Sequence, residues 1–271
     1  MQGWQNLIPA AQKIAYLNQL LRVGFDTLDC ASFVSPKAIP QMADSAEVLN
    51  GLELNDSDTK LLAIVANARG AEAAVQFQQL TYLGYPFSLS ETFQKLNTNS
   101  TIAESWDRVQ AIQEICVQYN KQMVVYLSMG FGNPYGDLYN AEVIATWVEK
   151  LSTIGIAIVS LADTVGLATA DMVQSVTSAT IQSFPQMEIG VHLHTTAEGF
   201  TEKLDAAMLA GCTRFDGALK GIGGCPMANN PLVGNMDTQL MIEHFDQKDG
   251  VRSINKQELY TAIKMAGEIF I

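Results

Sequence analysis

The chain alternates two hydrophobic periods almost from end to end. Runs such as LLAIVAN (61–67), MVVYLSM (123–129) and IAIVSLAD (156–163) are apolar at nearly every position and rich in β-branched residues. Between such runs lie 101–120, 137–155, 169–184 and 197–211, where apolar residues recur at helical spacing. A strand that is apolar on both faces must be covered on both. Alternation with helices therefore gives parallel strands joined by helical crossovers. Further strands are expected at 25–33, 78–86, 188–195 and 214–221, which makes seven.

Seven is one short of a barrel of eight βα units. The chain also opens on a helical stretch, 8–24, where a barrel needs a strand first. The expected fold class is therefore α/β, a (β/α)8 TIM barrel, with its first strand missing from this chain or its slot filled by something else. No Pro/Gly/Ser-rich linker divides the 271 residues, so one catalytic domain over 1–271 is expected.

Composition narrows the function. Hydrophobic residues make up 48% and charged residues 16%, enough apolar surface for a large core. The net charge of −12 argues against nucleic acid, because neutralising phosphates needs clustered Lys and Arg. No apolar run is long enough to cross a bilayer, so no membrane partner is expected. Polar residues and then an amphipathic stretch follow Met1, which is not the pattern of a signal peptide. Cys30, Cys116, Cys212 and Cys225 show no CxxC spacing, and reduced thiols in a cytoplasm are the simplest reading. Cys116 and Cys212 fall in helical patterns and are expected in the core, and Cys30 is expected to face the helices.

In barrels the chemistry gathers at the C-terminal ends of the strands. His192 and His194 lie two apart in VHLHT, so on a strand both imidazoles share one face. That pattern suits a divalent metal and a pair of hydrogen-bonded interior histidines about equally well. Asp163 closes IAIVSLAD, where a carboxylate either orients a metal-binding histidine or caps the next helix. Asp29, flanked by apolar residues in mid-strand, needs a cation, an arginine or backbone amides to face. Cys225 follows Gly221, Gly223 and Gly224. It reads either as a general acid or base on a hinged loop or as a small residue under a turn. Asn235 either offers an amide oxygen to a metal or fills a turn.

Several of these segments together resemble the hydroxymethylglutaryl-CoA lyase family. SFVSPKAIPQMAD (32–44) is nearly identical to the segment after that family's second strand. ADTVG (162–166) resembles its xDTxG turn, VHLHT its HxH strand, and GIGGCP (221–226) its G-x-GGCP loop. VGN (233–235) supplies the family's Gly-Asn. The resemblance implies a lyase that cleaves 3-hydroxy-3-methylglutaryl-CoA to acetyl-CoA and acetoacetate. It implies Mg2+ or Mn2+ on His192, His194, Asn235 and an aspartate, with Asp163, Asp29 and Cys225 as catalytic groups. Ser32, Asn67 and Thr164 are assigned to the acyl-CoA substrate, and the three glycines become a hinge that brings the thiol over it. A homodimer is the form related enzymes suggest.

The chain also departs from the family. The family's first strand carries an Arg followed by a metal-binding Asp, and this chain begins at MQGWQN, past that point. Asp29 stands where a Glu is expected, Thr195 where an Asp is, Lys220 where a small residue is, and Met227 where an aromatic is. The step from Cys225 to Asn235 is one residue longer. Two alternatives therefore stand beside the lyase: a non-catalytic acyl-CoA-binding barrel, and a lyase for a related branched 3-hydroxyacyl-CoA.

Overall fold

The computed structural model describes residues 1–54, 57–196, 198–223, 233–248 and 253–270. Seven parallel strands pair strictly in chain order among them. They are β1 (Thr27–Phe33), β2 (Lys60–Val65), β3 (Leu80–Ser88), β4 (Gln122–Ser128), β5 (Ile158–Ala162), β6 (Glu188–His192) and β7 (Arg214–Asp216). The helices are α1 (Ala10–Val23), α2 (Ser45–Asn50), α3 (Ala68–Ala74), α4 (Glu91–Thr98), α5 (Ile102–Gln118), α6 (Ala141–Thr153), α7 (Ala170–Ser183), α8 (Phe200–Leu209), α9 (Thr238–Asp246) and α10 (Lys256–Ile269). Each strand leads into at least one helix, as the alternation of periods requires.

Local chemistry sets the helix starts. Thr101 and Glu104 form a reciprocal capping box at α5. Asn67, Asn140, Thr169 and Asn255 accept first-turn amides at α3, α6, α7 and α10. Gly24, at φ 86°, ends α1 in the left-handed conformation that a side chain would resist.

The sheet is curled. Side chains of strands that are not neighbours meet on its concave face: Arg214 of β7 lies 5.6 Å from the Tyr82 ring of β3. Tyr126 of β4 meets His192 of β6 with ring centroids 5.9 Å apart. Leu62, Tyr82, Val124 and Ile158 form a small apolar cluster there, while the main core lies between the sheet and its helices. Gly190 is glycine because a β-carbon would meet the Arg214 side chain at 2.9–3.0 Å. β1 and β7 are the two edges and do not pair with each other. Among the described residues no helix is long and apolar enough to cross a membrane.

β1 carries a register shift between Asp29 and Ala31. Asp29 pairs with Leu62 and Ser32 with Ile64, so both stand on the concave side although they are three residues apart. Cys30, the extra residue, is buried in the main core, as expected.

Three sequence expectations are corrected in detail. The strand expected at 214–221 ends at Asp216, because Lys220 and Gly221 turn to φ 60° and 62° within a short 3-10 turn. The strand expected at 188–195 ends at His192, and His194 instead forms an isolated antiparallel bridge with Asn235. Cys212 is buried but lies beyond α8, where its Sγ sits 3.2 Å from the Arg214 carbonyl.

Candidate active site at the strand ends

The site is assembled from the ends of β5, β6 and β7 and the segment that precedes α9. Backbone bonds tie that segment to the chain beyond β6 and β7. Thr195 N–H donates to Gly234 O at 3.1 Å, Met236 N–H to Leu193 O at 3.3 Å, and Ala218 N–H to Met236 O at 3.0 Å. The pairing lays Asn235 directly against His194.

The hydrogen bonds assign the protons. His194 Nδ1 lies 3.0 Å from Thr164 O, a carbonyl that only accepts, so Nδ1 carries the hydrogen. Asn235 Nδ2 donates to Ile222 O at 3.0 Å, which turns Oδ1 toward His194. His194 Nε2 and Asn235 Oδ1 then face each other at 3.1 Å. Burial and the neighbouring His192 hold the His194 pKa below its ordinary value, which favours the neutral ring with a lone pair on Nε2. Two acceptors in contact have no hydrogen to share. A proton or a cation must reconcile them, and burial disfavours the proton.

His192 adds a third donor. Its ring centroid lies 5.3 Å from that of His194. Its Nδ1 stands 3.6 Å from Asp216 Oδ2, a charge contact too long for a hydrogen bond, and is buried with no hydrogen-bond partner. Burial acts to lower the His192 pKa, but Asp216 and Asp29 outweigh it and the net shift is upward. Asp216 accepts from Ser160 Oγ at 2.8 Å. Burial pushes its carboxyl up, and His192, Arg214 and Ser160 together pull it below the usual value. Asp29 is exposed on the edge strand β1. The protein around its carboxyl raises its pKa to about 7, with the Met1 amine and His192 opposing and Asp216 adding to the rise.

The residues expected at the site fare differently. His192, His194 and Asn235 come together as described. Ser32 is buried at the end of β1, and its Oγ has no hydrogen-bond partner. Asp163, Thr164 and Asn67 are engaged in local structure. Asp163 Oδ1 accepts from Ala168 N–H at 3.1 Å and Oδ2 from Lys203 Nζ at 2.8 Å. Thr164 Oγ1 accepts from Met129 N–H at 2.9 Å. Asn67 caps α3 by accepting from Gly70 N–H at 2.9 Å. Cys225 and Gly224 lie outside the described residues. Gly221 and Gly223 have φ of 62° and 102°.

The conspicuous segment 32–44 proves to be a clasp. Gln41 donates to Trp4 O at 3.3 Å and Asn6 O at 2.8 Å, and accepts from Ile8 N–H at 2.9 Å. Asp44 pairs with Lys13 at 2.7 Å. Ser45, just beyond, donates to Ser32 O at 2.9 Å and accepts from Ser32 N–H at 3.0 Å.

A cation fits this donor set chemically: two imidazoles, one with a free lone pair and one with an orphaned nitrogen, beside an amide oxygen. Among the described residues no three His, Cys, Asp or Glu side chains converge as a metal-binding group. The family model described as HMGL-like matches residues 1–265. The chain belongs to the HMGL-like family. It is 31% identical over 261 residues to hydroxymethylglutaryl-CoA lyase YngG of Bacillus subtilis, spanning 96% of this chain and 86% of that one. The crystal structure of the HMG-CoA lyase from Brucella melitensis superposes with a TM-score of 0.91 at 30% identity, covering 99% of this chain and 94% of that one. An HMG-CoA lyase from Acinetobacter baumannii, solved in complex with coenzyme A and 3-methylmalate, superposes at 0.90 with 29% identity, covering 99% and 87%. The motif resemblance thus holds for family and fold: this HMGL-like chain has the TIM-barrel fold of those lyases, here as a curled sheet of seven strands.

Sequence reasoning missed Asp216, Lys203 and Gln41. Lys203 left a readable trace. It occupies the apolar stripe of α8, beside Phe200, Leu204 and Ala207, where a charge needs a partner.

Proposed function

We propose that the protein is a divalent-metal-dependent carbon–carbon lyase acting on 3-hydroxy-3-methylglutaryl-CoA, giving acetyl-CoA and acetoacetate. The observation that carries this reading is the contact of His194 Nε2 with Asn235 Oδ1, two acceptors at 3.1 Å. The names of the relatives and the coenzyme A in the Acinetobacter structure support the substrate class.

His192, His194 and Asn235 would hold Mg2+ or Mn2+. When bound, the ion supplies Lewis acidity to the substrate's C3 hydroxyl and a carbonyl oxygen, lowering the hydroxyl pKa. The chain's own residues do the rest. Ser32 Oγ, buried and unpartnered, offers a hydrogen bond to the acyl portion. Asp29, with a carboxyl poised at about 7, is suited to hold the hydroxyl proton near neutral pH. As that proton leaves, C3 becomes the ketone of acetoacetate and the C2–C3 bond breaks. Its electron pair passes into the thioester enolate. Cys225 delivers a proton to C2, completing acetyl-CoA.

The test is direct. The protein, given the thioester and Mn2+ or Mg2+, should release acetyl-CoA and acetoacetate in equal amounts, and chelation should stop the release. No product with either metal overturns the assignment. A panel of branched 3-hydroxyacyl-CoA thioesters distinguishes this substrate from a related one.

A second reading, a thioester-binding barrel without turnover, draws support from Asp163, whose carboxylate is committed to Ala168 N–H and Lys203. Calorimetry separates the two. Binding of a CoA thioester without cleavage favours the second reading, and no binding removes it.

A further inference from the structure

Lys203 is only 8% exposed, on the face of α8 that packs inward. Its Nζ lies 2.8 Å from Asp163 Oδ2 and 2.9 Å from the backbone carbonyl of His194. Asp163 is itself 2% exposed, and its other oxygen is taken by Ala168 N–H. One ammonium therefore joins three elements: the turn after β5, the chain just beyond β6, and α8.

The same β5 turn also holds the His194 ring, through Nδ1–H to Thr164 O. His194 is thus tied to residues 163–164 twice, once directly through its ring and once through Lys203 from its carbonyl. Two ties, one to its carbonyl and one to its ring, fix both its backbone and its ring. The ring orientation decides where Nε2 points, and Nε2 is the atom facing Asn235. Packing alone does not call for a charge here. Leu204, Ala206 and Ala207 already seat α8, and a buried ion pair is weak support for stability because desolvation offsets attraction.

We infer that Lys203 is a positioning residue for His194: its bridge from Asp163 to the His194 carbonyl holds the imidazole with Nε2 aimed at Asn235. It acts as an outer support, like the partners that orient metal-binding histidines elsewhere. In this arrangement Asp163 is the fixed anchor of the bridge. The inference rests on the cation-site reading for its consequence, though not for its geometry.

Two measurements keep inference and reading apart. The first uses metal-free protein and long-range 1H–15N NMR of the histidine rings. Wild type should show His194 as the single Nδ1–H tautomer, and Lys203→Gln should show a mixture of tautomers. The second is a Mn2+ titration followed by electron paramagnetic resonance, in which Lys203→Gln should bind about 10- to 100-fold more weakly. Lys203→Arg, which keeps the charge, should restore part of both signals. If Lys203→Gln leaves Asp163 unpaired and fails to fold, the neutral pair Lys203→Met with Asp163→Asn takes its place. A folded variant with the wild-type tautomer and wild-type Mn2+ affinity overturns the inference. If wild type binds no Mn2+, the parent reading fails, and the tautomer measurement alone decides the role of Lys203.

Discussion

Gly223 and Asn235 compete for the same space: a β-carbon on Gly223 would lie 2.8 Å from Asn235 Nδ2. The amide of Asn235 is held there by Ile222 O. The glycine therefore does more than loosen a loop, because it lets the backbone pass against the side chain that faces His194. Gly223→Ala should displace the amide and also place alanine at φ 102°, at a backbone cost on the order of 1–3 kcal/mol. Urea unfolding should show that loss, and Mn2+ affinity should fall with it. Full retention of Mn2+ affinity would mean that Asn235 is not a donor.

His192→Ala should separate metal binding from stability. Its Nδ1 makes no hydrogen bond, so removing the ring gives up little of the folded network. It also removes the imidazole 3.6 Å from Asp216, a change Ser160 and Arg214 partly offset. Thermal unfolding should move by only a few degrees. Mn2+ affinity should drop tenfold or more, by roughly the factor that losing a supporting partner alone produces. An unaltered titration would make the strand histidines structural.

Cys225→Ser should keep the fold and the Mn2+ affinity while losing turnover by about 10²–10⁴-fold, the range for a positioned proton donor. Serine has nearly the same shape and a far higher pKa, so binding and proton delivery come apart. The informative readout is kcat against KM, with only kcat expected to fall. Wild-type kcat would mean that Cys225 takes no part in turnover.

The repeating βα architecture could be read from the sequence because each strand is apolar on both faces and each helix has its own period. All seven strands begin within two residues of expectation, and β6 and β7 share their starts with the expected runs. Strand ends were less legible. A run such as VHLHT continues in pattern past His192, while its partner changes from β7 to the segment at Asn235. No local signal announces that change. The HxH pair and Asn235 could be found because their residue types are rare and spaced for chemistry. Asp163 was visible, but its commitment to Lys203, 40 residues later, is a tertiary fact. Asn67 shows the opposite outcome, a polar residue at a strand end whose capping of α3 accounts for its side-chain oxygen.

Acid should loosen one corner of the strand-end surface. Asp137, after β4, accepts from Ser90 Oγ at 2.5 Å, Thr92 N–H at 2.9 Å and Thr92 Oγ1 at 3.0 Å. Ser90 caps α4, so this carboxylate ties the β4 loop to the start of that helix. The Ser90 hydroxyl and the Thr92 amide hold its pKa below the ordinary 3.8. A lowered folded-state pKa places the stabilisation above the unfolded value, with its loss coming as pH falls through the folded one. Asp137→Asn should therefore destabilise the protein by about 1 kcal/mol at neutral pH, since the amide accepts through one oxygen only. The gap between wild type and variant should stay level down to about pH 4 and close below it. Urea unfolding at a series of pH values measures that gap. A difference that persists unchanged in acid, or one that widens, would show that the carboxylate charge does not hold the loop to α4.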